Sequence, residues 1–258
     1  MKVSGLGQFA LGQAVPNRDH AVCVSLPTVD DLIGYEEKHP KTLAAVTSGY
    51  PRFVQHRFLK ELIAHEEQVH SLTGKRSFLF ANRKHLQDAV EHCLIKNPVC
   101  HERDEYIWLE LEEGSSDADK IQSFLQHTGG SLSSRQAEDI LTRKGLRVTR
   151  ENISEHAKPD RYAREIIAEV HGQGVSPEGV IITSSGANAF YSLFRSARDS
   201  YAEKGKKIWI QLGWLYLDTI ETMKMVGGEE NIITLSNPGN EKELEKIFAT
   251  HGNNIAGL

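Results

Sequence analysis

With 258 residues and 39% hydrophobic side chains, at a mean hydropathy of −0.41, the chain has room for one large domain or two smaller ones and for a sizeable core. A net charge of −5, from 30 Lys+Arg against 35 Asp+Glu, gives no general attraction to nucleic acid or to an anionic membrane. No apolar run approaches the roughly 20 residues of a membrane helix. Neither nucleic acid nor membrane is an expected partner.

The opening MKVSGLGQFALGQAV is interrupted by glycines and glutamines and makes a poor signal peptide. Cys23, Cys93 and Cys100 form no CxxC and no zinc spacing. An odd count at wide spacing fits reduced thiols and a cytoplasmic protein. The pattern over Phe53–Leu72 predicts a helix. Within it, HEEQVH places His65 and His70 five residues apart, about 140° round a helix instead of on one face. A metal-binding HExxH needs i and i+4, so the expectation is a solvated face. Ser77–Phe80 and Tyr106–Glu110 read as strands, and Lys84–Leu94 as a helix. GSSDADKIQSFLQ reads as loop, cap and helix, and QHTGGSLSSRQAEDILTR as a Gly-Ser turn into a helix capped near Ser133 or Ser134. The polar stretch Arg150–Asp160, ending in KPD, reads as a hinge.

From there the pattern alternates. A helix over Ala163–Val170 leads to a strand at Val180–Thr183. A helix follows, carrying Phe190, Leu193, Phe194, Ala197 and Tyr201 at helical spacing and ending at EKGKK. Ile208–Leu212 and Asn231–Leu235 predict strands, Leu217–Val226 and Glu241–Thr250 helices, and Ile255–Leu258 the opening of another strand. Strands alternating with helices of this length imply parallel β-α-β units. A last strand with no crossover helix and no neighbour reads either as a short edge or as part of a longer protein.

At VIITSSGANAF a strand meets a helix through Ser184-Ser185-Gly186. The first amides of a helix lack backbone acceptors and the helix dipole favours negative charge there, so such a junction suits an anion. An ordinary N-cap explains the same residues. The chain lacks GxSxG, GxGxxG and GxxxxGK[ST], which weakens the nucleophilic-serine, dinucleotide and P-loop readings.

Ser185-Gly186-Ala187-Asn188-Ala189 resembles the Ser-Gly-Met-x-Ala turn of the pyridoxal-phosphate enzymes of cysteine and methionine metabolism, with Ala187 in place of Met. Three more stretches are similar to the cystathionine γ-synthase branch in its fungal-like form. HAVCVSLPTVDDLIGYEE with SGYPRFVQHRFLKEL matches its N-terminal segment, FLQHTGGSLSSRQAEDIL an inserted segment, and LGWLYLDTIETMKMVGG a Phe-Pro-Tyr-Val-Asp-Thr stretch. The resemblance spans most of residues 14–258.

It implies a type I pyridoxal-phosphate transferase fold: α/β, a parallel sheet in three layers, incomplete here, preceded by a mixed N-terminal region. Residues 1–150 would be the arm and inserted region, and 151–258 a truncated cofactor-binding domain. The implied cofactor is pyridoxal 5'-phosphate. The main-chain amides after Ser185, at Gly186 and Ala187, would hold its phosphate. Tyr50 and Arg52 would reach the phosphate of a neighbouring subunit in a homo-oligomer, a dimer or tetramer. Trp214 would stack on the ring, although packing beside Ile210, Leu212 and Leu217 is the competing reading. The implied reaction is replacement of the γ-substituent of an activated homoserine ester by cysteine, a transsulfuration step in methionine biosynthesis. The acid that pairs with the ring nitrogen and the lysine of the Schiff base fall beyond Leu258 in the family. Lys204, Lys206 and Lys207 read as solvated, and Lys224 sits on the wrong segment. No catalytic residue is therefore assigned, and the isolated chain is expected to be inactive. A phosphosugar-binding module or a non-catalytic interaction protein are the alternatives.

Overall fold

The structure, a computed structural model, describes residues 9–46, 54–103, 105–152 and 157–258. It divides into a first unit, Met1–Val90, Ile95–Gln122 and Ser131–Ser154, and a second, Glu91–Leu94, Ser123–Gly130 and Glu155–Leu258.

In the first unit a short ladder joins β1 (Ala14–Val15) to β2 (Cys23–Val24). Helix α1 (Val29–Glu36) begins at a capping box: Thr28 Oγ1 accepts from the Asp31 amide at 3.1 Å and the Asp31 carboxylate accepts from the Thr28 amide at 3.2 Å. Next come α2 (Pro40–Ala45), α3 (Arg57–Val69), β3 (Lys75–Phe80), α4 (Arg83–His92), β4 (Val99–Glu102), β5 (Ile107–Glu112), α5 (Ser116–Thr128) and α6 (Ser134–Arg143), the last residues of α4 and the second half of α5, from Ser123, belonging to the second unit. The strands form an antiparallel sheet in the order β3-β5-β4.

Leu79 lies opposite Trp108 across the β3–β5 pair. Both pack with Phe58, Leu59 and Leu62 of α3 and with Ala137, Ile140 and Leu141 of α6. Each fully buried Leu, Ile or Phe among them contributes about 1.5–3 kcal/mol. Of the two caps the sequence offers for α6, Ser133 and Ser134, the structure uses Ser133, with Gln136 completing a capping box. Strand β4 was not predicted. Its VCHE sequence carries no apolar alternation, and pairing with β5 makes it a strand.

The second unit contains α7 (Pro159–His171), α8 (Gly186–Ala202), β6 (Ile208–Leu212), α9 (Leu217–Gly227), β7 (Ile232–Leu235), α10 (Glu241–His251) and β8 (Ile255–Gly257). Its three strands are parallel in the order β7-β6-β8. Alternation along β6 sorts the two faces. Trp209 packs with Phe194 of α8 and Met223 of α9. Ile208 and Ile210 pack with Ile255, Leu244 and Ile247, the last two from α10. Helices thus cover both faces of a parallel sheet, the α/β layering that the alternating pattern implies.

One expectation needs correction. Residues 180–183 are extended at Val180 (φ −92°, ψ 120°) but form no strand, since a β-prone run becomes a strand only when a neighbour pairs with it. The Ile255 strand pairs with β6 at one edge of the sheet, as its short-edge reading expects.

Candidate functional site

The segment that carries the candidate site is built by short-range bonds. Arg164 Nη1 donates to the Val180 carbonyl at 2.6 Å, fixing the extended run at its start. Thr183 Oγ1 donates to the Ser185 carbonyl at 2.9 Å. Ser185 is the N-cap of α8, in extended conformation (φ −162°, ψ 167°), and its Oγ accepts from the Asn188 amide at 3.1 Å. The Ser185 carbonyl takes the Ala189 amide at 2.9 Å. The amides of Gly186 and Ala187 stand at the helix start, where the helix supplies no acceptor.

Gly186 has no positive φ, so the change of direction belongs to Ser185. What Gly186 contributes is room: a Cβ built on it would meet nothing within 4 Å. An anion can come close to the backbone at this point, and the helix dipole favours it. The residues present therefore fit a phosphate: two amides, an open approach, and a capping hydroxyl that still has a hydrogen to donate. Replacing Ser185 by alanine removes the cap. The expected cost is about 1 kcal/mol in the second unit, measured by chemical denaturation, with the amide of Asn188 losing hydrogen-exchange protection.

Trp214 follows the carboxyl end of β6, where parallel α/β sheets place their ligands. Gly213, at φ +70°, turns the chain there. Its amide donates to the Leu235 carbonyl at 2.8 Å, and its carbonyl accepts from Gln211 Nε2 at 2.9 Å. Trp214 is 83% exposed, so the competing reading as a core residue beside Ile210 is wrong. The core tryptophan of this unit is Trp209. Tyr50 and Arg52 lie outside the described residues. Lys224 is on α9 and pairs with Glu229 at 3.4 Å.

One neighbour of the turn was not singled out from the sequence. The end of α5 and the glycine after it lie against the turn: Ser184 Oγ donates to the Gly129 carbonyl at 3.2 Å and Asn188 Nδ2 to the Thr128 carbonyl at 3.3 Å. The Gly-Gly pair in QHTGGS was the signal available, since adjacent glycines mark a backbone that another segment approaches closely.

No protein-family model matches the chain, and no solved structure gives a significant match. Among curated proteins, it is 30% identical over 259 residues to the L-2-amino-4-chloropent-4-enoate dechlorinase/desaturase of Streptantibioticus cattleyicolor, covering 98% of this chain and 50% of that protein. It is 28% identical over 151 residues to cystathionine gamma-synthase of Saccharomyces cerevisiae, 51% of this chain and 24% of that one. With cystathionine gamma-synthase of Neurospora crassa it shares 39% identity over 71 residues, 27% of this chain and 11% of that one. The chain is a homologue of the cystathionine γ-synthases. The resemblance read from its motifs is borne out at that level. As a synthase homologue it spans about half the length of the dechlorinase/desaturase and a smaller share of the synthases.

Proposed function

We propose that this chain is the phosphate-holding part of a pyridoxal-phosphate enzyme of the cystathionine γ-synthase type, which replaces the γ-substituent of an activated homoserine ester with cysteine. The cofactor, when bound, supplies an electron sink for that chemistry. The observation that carries the reading is the open N-terminus of α8 at Ser185-Gly186-Ala187, in a chain whose relatives include two named cystathionine gamma-synthases. The amides of Gly186 and Ala187 would donate to the phosphate oxygens, and the Ser185 hydroxyl would add a donor. The exposed face of Trp214 would cover one side of the ring. Tyr50 and Arg52 are proposed to complete the phosphate cradle of a second copy, the guanidinium binding two oxygens at once. Residues 151–258 would be the cofactor-side domain and 1–150 its arm and inserted region. The enzyme would work in the cytoplasm; among the described residues no helix is long and apolar enough to cross a membrane.

The groups that move protons and hold the cofactor covalently are proposed to lie on polypeptide other than this chain, so the chain alone is inactive. The phosphosugar and interaction-protein readings gain nothing from these relatives. Titration of the purified chain with pyridoxal phosphate tests the proposal. The expected result is weak, phosphate-dependent binding with no stoichiometric long-wavelength band. A stoichiometric band abolished by replacing one specific lysine would overturn it.

A further inference from the structure

Resting on the reading of the α8 start as the phosphate cradle, we infer that His127-Thr128-Gly129 is the positioning element that holds that cradle in shape and ties it to α9, the helix that follows the Trp214 loop. Three observations converge within the second unit. On one side, Ser184 Oγ donates to the Gly129 carbonyl at 3.2 Å and Asn188 Nδ2 to the Thr128 carbonyl at 3.3 Å. The residues on the two flanks of Ser185-Gly186-Ala187 are therefore bonded one each to two successive carbonyls. On the other side, His127 Nδ1 lies 2.8 Å from Oδ1 of Asp218, whose side chain is 3% exposed, and Thr222 Oγ1 donates to the His127 carbonyl at 3.3 Å. Asp218 and Thr222 belong to α9.

The third observation is the close approach itself. Gly129 has φ +65°, and a Cβ built there would fall inside the contact distance of Ser185 Oγ and within 3.3 Å of the Ala187 Cβ and the Asn188 amide nitrogen. Only glycine fits, because of the backbone conformation and because the atom it would strike is the hydroxyl that caps α8. A methyl group at 129 drives Ser185 Oγ off the Asn188 amide and crowds the Ala187 Cβ and the Asn188 nitrogen, so the turn that carries the two amides that would face the phosphate must give. Misplacement on that scale is what degrades a preorganised anion site.

The experiment compares four forms of the full 258-residue chain by amide NMR: wild type, Gly129→Ala, Ser184→Ala, and Gly205→Ala as control. Gly205 has φ +74°, but a Cβ there meets nothing within 4 Å, so the control carries the same backbone strain without the collision. In the ligand-free protein, Gly129→Ala is expected to raise the Asn188 amide exchange rate at least tenfold. Ser184→Ala, which keeps every backbone conformation, should raise it less. Gly205→Ala should leave it unchanged. Inorganic phosphate is then added. Shifts of the Gly186 and Ala187 amides are expected in wild type and Gly205→Ala, and weaker by tenfold or more in Gly129→Ala. Should Gly129→Ala fail to fold, Ser184→Ala decides alone. Unchanged Asn188 exchange in the folded variants overturns the positioning role whatever phosphate does. Wild-type Gly186 and Ala187 amides that ignore phosphate overturn the cradle reading instead, and the exchange data then establish the brace as a brace of the turn alone.

Discussion

Replacing Glu66 by alanine is expected to lower the stability of the first unit by about 3 kcal/mol. Glu66 lies on α3 with its side chain 3% exposed. It accepts from the Tyr106 hydroxyl at 2.7 Å, pairs with Lys144 at 2.9 Å and lies 3.3 Å from Arg103 Nη2. Arg103 also donates to His70 Nε2 at 2.7 Å. The single carboxylate thus joins α3, the approach to β5 and the end of α6. Removing it orphans the buried Tyr106 hydroxyl, at about 1–3 kcal/mol, while Lys144 and Arg103 turn to solvent, which keeps the total at the lower end for a broken buried pair. For a unit of this size the midpoint of thermal unfolding should fall by roughly 6–12 °C, followed by the fluorescence of buried Trp108. Glu66→Gln keeps an acceptor for Tyr106 and should lose about half as much.

The same residue sets a pH dependence. Burial alone would raise the Glu66 carboxyl, but the Tyr106 hydroxyl, Lys144 and Arg103 outweigh it and hold the group below its ordinary 4.5. A depressed carboxyl contributes stability above its unfolded value and loses it as the pH falls through the folded one. The first unit should therefore lose stability below about pH 4.5, and Glu66→Gln should flatten that part of the profile. Burial and the Glu66 carboxylate together raise the Tyr106 phenol, which therefore stays a donor across the neutral range. An unchanged acid limb in Glu66→Gln would show that other carboxylates govern acid unfolding.

Replacing His20 by alanine is the second large effect expected, about 2–3 kcal/mol in the same unit. His20 Nε2 lies 2.9 Å from Glu138 Oε2, with both side chains 3% exposed, and His20 Nδ1 lies 2.9 Å from Ser134 Oγ. The ring stacks on His56 at 5.5 Å and meets Phe58 edge-on at 5.4 Å. Next to it, His56 Nε2 bonds the Asp19 carbonyl at 2.6 Å. Residues 19 and 20 therefore anchor the first strands of the chain to α3 and α6. Without His20, the buried Glu138 carboxylate keeps the Glu151 amide at 3.2 Å but loses its imidazole. If that orphaned charge is the cause, Glu138→Gln introduced into His20→Ala should recover more than half of the loss. A double-mutant cycle in denaturant measures this, and simple additivity would assign the cost to lost packing instead.

These two hubs were not legible in the sequence, because Glu66 with Lys144 and His20 with Glu138 are far apart along the chain. Features set by neighbours in sequence were read correctly. The helix cap expected at Ser133 or Ser134 and found at Ser133, the apolar run Ile208–Leu212 and the amphipathic spacing of α8 depend on residues within a turn or two of one another. Val180–Thr183 shows the opposite case, since its β-branched run satisfies every local rule and still forms no ladder.

The sequence by itself determined the alternation of helix and strand from Ile208 onward, a helix start at Ser184-Ser185-Gly186, and the kinship with the cystathionine γ-synthases carried by its motifs. Tertiary structure alone decided which of two tryptophans five residues apart is core and which faces solvent, Trp209 or Trp214. It also decided that Gly129, 55 residues before Ser184, closes on the candidate phosphate turn. The reason is the range of the forces involved. Caps and periodicity are satisfied within a few residues, whereas burial, strand pairing and close backbone approach exist only once distant segments share one place.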